Sequence, residues 1–408
     1  MIEHEVLVIG NNLSGLICAA LLAKKGVNVA IAGKRKNEYL ELQNLAFGNP
    51  KRIEDLADVL NISITTEKIK NFFVYRDHAF FKLPINNLEL FSYRYFPMRQ
   101  RLDAFYTRRK AFAYAPEQVK ILTAEDLFTL LDADPEIKRY FLALGWIANG
   151  TYWEGIDAIT YLATLMKMFK NSGYIFRVSP DLDTLLLACE KIFLDSGGVI
   201  YDMDCTRVSM EGNRAIAAFF NEKTIEAKHF ILALEPHTLH SVLGVCENYP
   251  VIAELNGKKI RCLDINTTLK EKVSTLSPVI FEDEAVYGII KQKNSGHSAG
   301  RVQAYWRYFV GNAKEPEDTL LEKYTKKFRV LMAKTYPNFW SNVEHVEYHL
   351  IEKSLPYYKK IPQTIGENVF IAAPGVYGYT MCDTINASID AFLLCYKYIE
   401  KYASGGYK

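Results

Sequence analysis

Residues 5–35 read EVLVIGNNLSGLICAALLAKKGVNVAIAGKR, and this stretch decides the fold. Glu5 to Ile9 is a short apolar run of the kind shown by a parallel strand buried on both faces, and Gly10 ends it where the chain must turn sharply. From Leu13 the pattern becomes helical, with Leu13, Leu16, Ile17, Ala20, Leu21 and Ala23 keeping a mostly apolar face. Gly26 sits where a left-handed cap stops the helix, and Val27 to Ala32 resumes a buried strand. Strand, tight turn, helix and strand in that order make a dinucleotide-binding βαβ unit. Its physical use is to aim backbone N–H groups and the positive end of the helix at a pyrophosphate.

The usual pattern in such a unit is G-x-G-x-x-G, with a carboxylate about twenty residues further on for the ribose hydroxyls. Gly10 and Gly15 keep the outer glycines, Leu13 and Ser14 occupy the positions before Gly15, and Asn12 holds the middle one. A Cβ at Asn12 is expected to crowd the ligand, because the glycine there normally lets the backbone approach the pyrophosphate. The acidic position falls on Gly33, followed by Lys34, Arg35 and Lys36. Two readings stay open: a pocket for a 2′-phosphate, as in NADP-binding units, or a solvated charge run in a loop.

With 408 residues, 49% of them hydrophobic and 24% charged, the chain can bury two or more cores, so two domains are expected. A net charge of +2 points to no particular partner, and nucleic acid is not expected. The opening MIEHEVLVIG has no basic n-region or cleavage site, so a signal peptide is not expected, and no apolar run approaches bilayer-spanning length. Seven cysteines without a C-x-x-C pair suggest reduced thiols and a cytoplasmic protein.

Further along, Asn49 to Leu60 reads as a helix, and NFFVYRDHAFFKL as a hairpin turning near Asp77 and His78. Thr123 opens a capped helix, and further helices are expected over Pro135 to Ala148 and Ile156 to Lys170. Asp181 to Ser196 is an amphipathic helix stopped by Gly197 and Gly198, and Val199 to Met203 is strand-like. CTRVSM, RAIAAFF and a short TIEA suggest an antiparallel excursion, followed by a separate buried strand, HFILAL, at 229–234. A long helix is expected over Glu317 to Lys334 and a closing one over Thr380 to Tyr402. His345 and His349 fall on one face of a strand pattern together with Glu347, which reads as a solvated face rather than a metal site, since no further ligand is near in sequence. His237 and His240 read as surface or packing residues.

Three stretches carry a resemblance to the phytoene desaturase-like branch of the flavin amine oxidase superfamily, whose fold Rab GDP-dissociation inhibitors share. They are the opening βαβ unit, the run FRVSPDLDTLLLACEKIFLDSGGVIYDMDCTRV, and the ending ENVFIAAPGVYGYTMCDTINASIDAFLLC. The resemblance implies an α/β (α+β overall) fold: an FAD/NAD(P)-binding Rossmann-like domain of residues 1–70, 174–243 and 341–408. A discontinuous substrate or partner domain of helices and antiparallel sheet would comprise 71–173 and 244–340. It further implies FAD as cofactor, with the backbone near Cys205 against the adenine and Thr380 and Met381 in the turn and helix that close over the flavin. The family's Gly-Asp pair after the last strand is replaced by Ala373 and Pro374, and nothing between Lys36 and Gly48 matches its Gly-Gly segment.

The implied activity is an FAD-dependent oxidation of a lipophilic or amine-like small molecule. The alternative is a non-catalytic relative that binds a lipid or protein in the interdomain cleft; NADP use through Lys34 and Arg35 is a third reading. On the first reading, Asn12→Gly with Gly33→Glu is expected to raise FAD affinity. Finally, residues 88–114 interleave Arg94, Arg99, Arg101, Arg108, Arg109 and Lys110 with many aromatic and apolar side chains. That composition suits peripheral contact with an anionic membrane, as against aromatics packed inside a helical domain.

Overall fold

The computed structural model describes residues 3–35, 39–114, 116–149, 155–170, 175–221, 223–244, 249–255, 259–274, 276–292, 301–311 and 314–403. β1 (His4–Ile9) turns into α1 (Leu13–Lys24), and β2 (Val29–Ala32) returns parallel to β1 with Val6 opposite Val29 and Ile9 opposite Ala32. Val6 and Val8 pack toward one side of the sheet, and Leu7 and Ile9 toward the other. Both faces are covered from Val6 onward, which is why Val6 to Ile9 is continuously apolar rather than alternating.

The sheet is completed by segments far away in sequence. α2 (Leu182–Asp195), N-capped by Asp181, leads to β3 (Val199–Tyr201), which pairs in parallel with β2. β4 (Thr224–Leu232) pairs with β1 on its other side, β5 (Val369–Ile371) pairs with β4, and α3 (Met381–Ala403) follows. The parallel order is therefore β5-β4-β1-β2-β3, with the strand order reversing between β1 and β4. α1, α2 and α3 cover one face; the strands Cys205–Glu211 and Arg214–Phe220 and the helix Pro236–Leu243 cover the other. β4 is one nine-residue strand, so the expected division into TIEA and HFILAL does not hold. Its first half pairs antiparallel with Arg214–Phe220 and its second half enters the parallel core.

A second sheet of seven strands runs in the order Val343–Ser354, Lys259–Leu269, Val302–Gly311, Val286–Gln292, Val279–Phe281, Phe73–Arg76, Ala79–Lys82. The last two form the expected hairpin, and Asp77 and His78 at its turn both have positive φ, 46° and 62°. Val343–Ser354 pairs along its length with Lys259–Leu269, so the third segment expected in the dinucleotide domain opens with a strand of the second sheet. One face of this sheet carries the helix Glu317–Thr335; the other carries the helical block that includes Met98–Ala113, Pro135–Asn149 and Ala158–Lys170. Thr123 caps the helix Ala124–Leu130 with a reciprocal capping box to Asp126.

Candidate functional site

In a doubly wound sheet, ligands sit beyond the carboxyl ends of the strands where the strand order reverses. Here that point lies between β1 and β4, and a cavity of about 320 Å3 opens there. Its geometry starts at Gly10, whose φ of +123° disfavours any L side chain and whose added Cβ would stand 2.1 Å from Ala233 O at the end of β4. A Cβ at Gly15 would stand 2.0 Å from Gly10 O, so Gly15 is the close-packing contact that brings α1 under the turn. Both outer glycines thus have a steric cause.

Asn12 lines the cavity, and its amide is engaged by the protein itself. It is the N-cap of α1: its Oδ1 accepts the Gly15 N–H at 3.0 Å, and its Nδ2 donates to Ala233 O at 2.7 Å. The amide is thereby turned back onto the helix and the end of β4. Leu13 and Ser14, also lining the cavity, begin α1 before its first backbone bond, from Leu16 N–H to Asn12 O. Their position suits an anion at the positive helix end. Asn11 lines the same cavity, and its Oδ1 is buried without a hydrogen-bond partner among the described residues. Such an acceptor calls for a ligand's donor.

Gly33 also lines the cavity, but a Cβ built there lies 2.6 Å from Asn11 N and 3.2 Å from Gly10 Cα. The end of β2 is packed against the Gly10–Asn11 turn, and Gly33→Glu would displace that backbone. Lys34 reaches the cavity, whereas Arg35 is committed to Glu190 at 2.6 Å. Asp204, which the sequence pattern did not single out, lines the cavity beside Cys205 and accepts the Lys34 N–H at 3.3 Å. Burial pushes the Cys205 thiol up to about 11, so it is no thiolate nucleophile at neutral pH.

At its other end the cavity meets a smaller pocket of about 70 Å3, with Gln43, Glu235, Pro374, Met381 and Thr384 lining both. Trp146, Tyr287, Phe309 and Tyr379 wall this second pocket, which lies between the two sheets' domains. Its polar end is Glu235, whose Oε1 is 3.3 Å from Lys353 Nζ and whose Oε2 accepts the Ser354 N–H at 3.3 Å. Arg307 contributes to the wall while making a buried bidentate pair with Asp264, 2.7 Å at each contact. The Tyr287 hydroxyl is buried without a hydrogen-bond partner among the described residues, and burial raises its pKa well above the usual phenol range.

Thr380 lines this pocket and caps α3 through Asp383, its hydroxyl donating to Oδ2 at 2.7 Å. Of the pair in place of Gly-Asp, Pro374 lines both cavities, while Ala373 is fully buried in the core beneath them. His345 and Glu347 hydrogen-bond each other at 3.1 Å on an exposed face, and His237 bonds Ser354. No group of three or more His, Cys, Asp or Glu side chains among the described residues is arranged to hold a metal. No helix among them is long and apolar enough to cross a membrane.

No protein-family model and no curated protein sequence matches the chain. Solved structures do match it across nearly its whole length. A cyclohexylamine oxidase from Brevibacterium oxydans has a TM-score of 0.71 at 10% identity, covering 97% of this chain and 99% of its own. An oxidoreductase from Methanosarcina mazei has a TM-score of 0.69 at 12% identity, covering 94% and 99%. A Rab GDI from Plasmodium falciparum has a TM-score of 0.53 at 11% identity, covering 97% and 98%. With a reversed-order parallel sheet carrying the Gly10 turn and a second sheet roofing the adjoining pocket, the chain shares its fold with the cyclohexylamine oxidase and the Rab GDI.

Proposed function

We propose that the chain is an FAD-dependent oxidoreductase acting on a lipophilic or amine-like small molecule held in the interdomain pocket. The observation that carries this reading is continuity: the cavity at the phosphate turn and the aromatic-walled pocket share Gln43, Glu235, Pro374, Met381 and Thr384. A ligand of dinucleotide length lying along the first would present one end to the second. The nucleotide half of FAD fits what is present: a turn without a Cβ at Gly10, the first amides of α1 at Leu13 and Ser14, and a buried acceptor at Asn11 that lacks a partner. FAD, when bound, supplies the acceptor for the hydride of a substrate carbon.

What the chain's own groups contribute is binding and orientation. Trp146, Tyr287 and Phe309 exclude water and favour an apolar substrate, while the Glu235–Lys353 pair marks the polar end. Glu235, Lys353 and Arg307 each have ionic partners, so the reading assigns catalysis to positioning rather than to a side-chain acid or base. A second reading, a flavin-poor binder of a lipid or protein, is favoured by the small size of the interdomain pocket, about 70 Å3. NADP use is opposed by the commitment of Arg35 to Glu190 and by the Asp204 carboxylate beside Lys34. The test is flavin content. Purified or FAD-reconstituted protein should retain flavin absorbance near one per chain after desalting; colourless protein that cannot be reconstituted refutes the enzyme and leaves the binder.

We further propose that the helix Met98–Ala113 brings the substrate pocket's domain to anionic membranes. Met98, Leu102 and Tyr106 form an outward stripe at four-residue spacing, 59%, 39% and 54% exposed, and Leu88 beside it is 84% exposed. Arg99, Arg109 and Lys110 are exposed on the same helix. Not all of the segment faces outward. Leu90, Tyr93 and Phe96 are buried, Arg101 holds the carbonyls of Phe91 and Phe96, and Arg108 stacks on Phe105 and Phe169.

A further inference from the structure

We infer that Asp204, and no residue of β2, grips the ribose of the nucleotide bound at the phosphate turn. The inference rests on the reading above that this cavity takes an adenine nucleotide. In a unit of this kind the ribose hydroxyls need a carboxylate near the end of β2. That place is closed to side chains here, because a Cβ on Gly33 would lie 2.6 Å from Asn11 N.

The neighbouring strand supplies the group instead. β3 pairs with β2 in register up to Ala32 and Tyr201, and Gly33 N–H donates to Tyr201 O at 3.0 Å, carrying the pairing one residue further. The chain leaving β3 then turns back so that Asp204 Oδ1 accepts the Lys34 N–H at 3.3 Å. This sets a carboxylate on the cavity wall beside the backbone that a β2 carboxylate would have sprung from. A carboxylate accepts through two oxygens, and Oδ2 of Asp204 has no partner in any described hydrogen bond. The second oxygen is the acceptor for a ribose hydroxyl.

The charge of Asp204 also sets selectivity. A 2′-phosphate would meet the carboxylate at the point where a 2′-hydroxyl donates to it, and Arg35 is turned away to Glu190. With the carboxylate neutralised, Lys34, which lines the cavity, is left to attract a 2′-phosphate.

Isothermal titration of the full chain with ADP, 2′-deoxy-ADP and 2′,5′-ADP tests this. Wild type should bind ADP about tenfold or more tighter than 2′-deoxy-ADP, the loss of a hydrogen bond to a charged group. Asp204→Asn should bind ADP about tenfold more weakly than wild type, lose most of the discrimination against 2′-deoxy-ADP, and gain affinity for 2′,5′-ADP; Asp204→Glu should retain the wild-type preference. Equal binding of ADP and 2′-deoxy-ADP by wild type overturns the inference without any variant, as does unchanged discrimination in Asp204→Asn. Either result leaves the nucleotide reading standing. A wild-type chain that binds neither ADP nor FAD overturns both.

Discussion

The ammonium of Lys291 is the best place to test how the two domains are held together. It reaches from the strand Val286–Gln292 of the second sheet to Glu41 Oε2 at 2.8 Å and Asp181 Oδ2 at 3.9 Å, both at the N-terminus of α2, which packs on the first sheet. The three side chains are only 8%, 1% and 6% exposed, so water offers no substitute for the cation. Lys291→Met would leave two buried carboxylates facing each other's field. Removing one partner from such a pair costs roughly 3–5 kcal/mol. Glu41 also accepts the Leu182 N–H at 3.0 Å and the Asn44 amide, and Asp181 caps α2. Those donors persist in the variant, which puts the expectation at the lower end, about 3 kcal/mol. At about 2.1 cal/mol/K of unfolding entropy per residue over 408 residues, each kcal/mol shifts the midpoint by about 1.2 °C, so Tm should fall by roughly 3–4 °C. Adding Glu41→Gln to Lys291→Met removes one stranded charge and should recover a large part of the loss, whereas two independent defects would add. Differential scanning calorimetry at pH 7 on wild type, both single variants and the double variant gives the cycle. A Lys291→Met melt indistinguishable from wild type, or a double variant less stable than either single, would refute the reasoning.

Two further expectations concern other parts of the fold. His229 sits buried in β4, where loss of water, helped by Arg214 and Lys228, pushes its pKa from 6.5 down to about 4. The unfolded chain therefore takes up the proton first, so stability should be full above pH 6.5 and fall as pH drops towards 4. Urea midpoints at pH 7.5, 6 and 5 should show that slope in wild type and a shallower one in His229→Gln; parallel slopes would exclude His229 as the cause. On the helix Met98–Ala113, Arg99, Arg109 and Lys110 changed together to Glu should abolish sedimentation with anionic liposomes at low salt, each cation being worth about 1 kcal/mol at such a surface. Arg101 is unsuitable for that test because it holds two backbone carbonyls, and equal recovery of wild type and variant in the supernatant would end the membrane proposal.

What was legible in the sequence were the elements whose cause lies within a few residues. β1, α1 and β2 could be read because their apolar spacing and terminal glycines are local signals. The hairpin at Asp77 and His78 and the box at Thr123 and Asp126 likewise carry their own turn and cap chemistry. β4 was harder, since it alternates polar and apolar residues where one face is open and becomes uniformly apolar where both faces are covered. One strand with two burial environments looks like two strands. The site followed the same division. Gly10, Gly15, Leu13 and Ser14 were legible from spacing, and the run containing Cys205 from resemblance. That Asn12 would cap its own helix, that Gly33 would be too close to Asn11 to carry a side chain, and that Arg35 would turn to Glu190 depended on packing. Asp204 and Lys34, 170 positions apart, meet because β3 lies beside β2. Glu41 and Lys291 meet because the second sheet folds over the first domain. Periodicity reports which face of an element is buried; which distant element buries it, and which charges then become neighbours, is settled only when the sheets close.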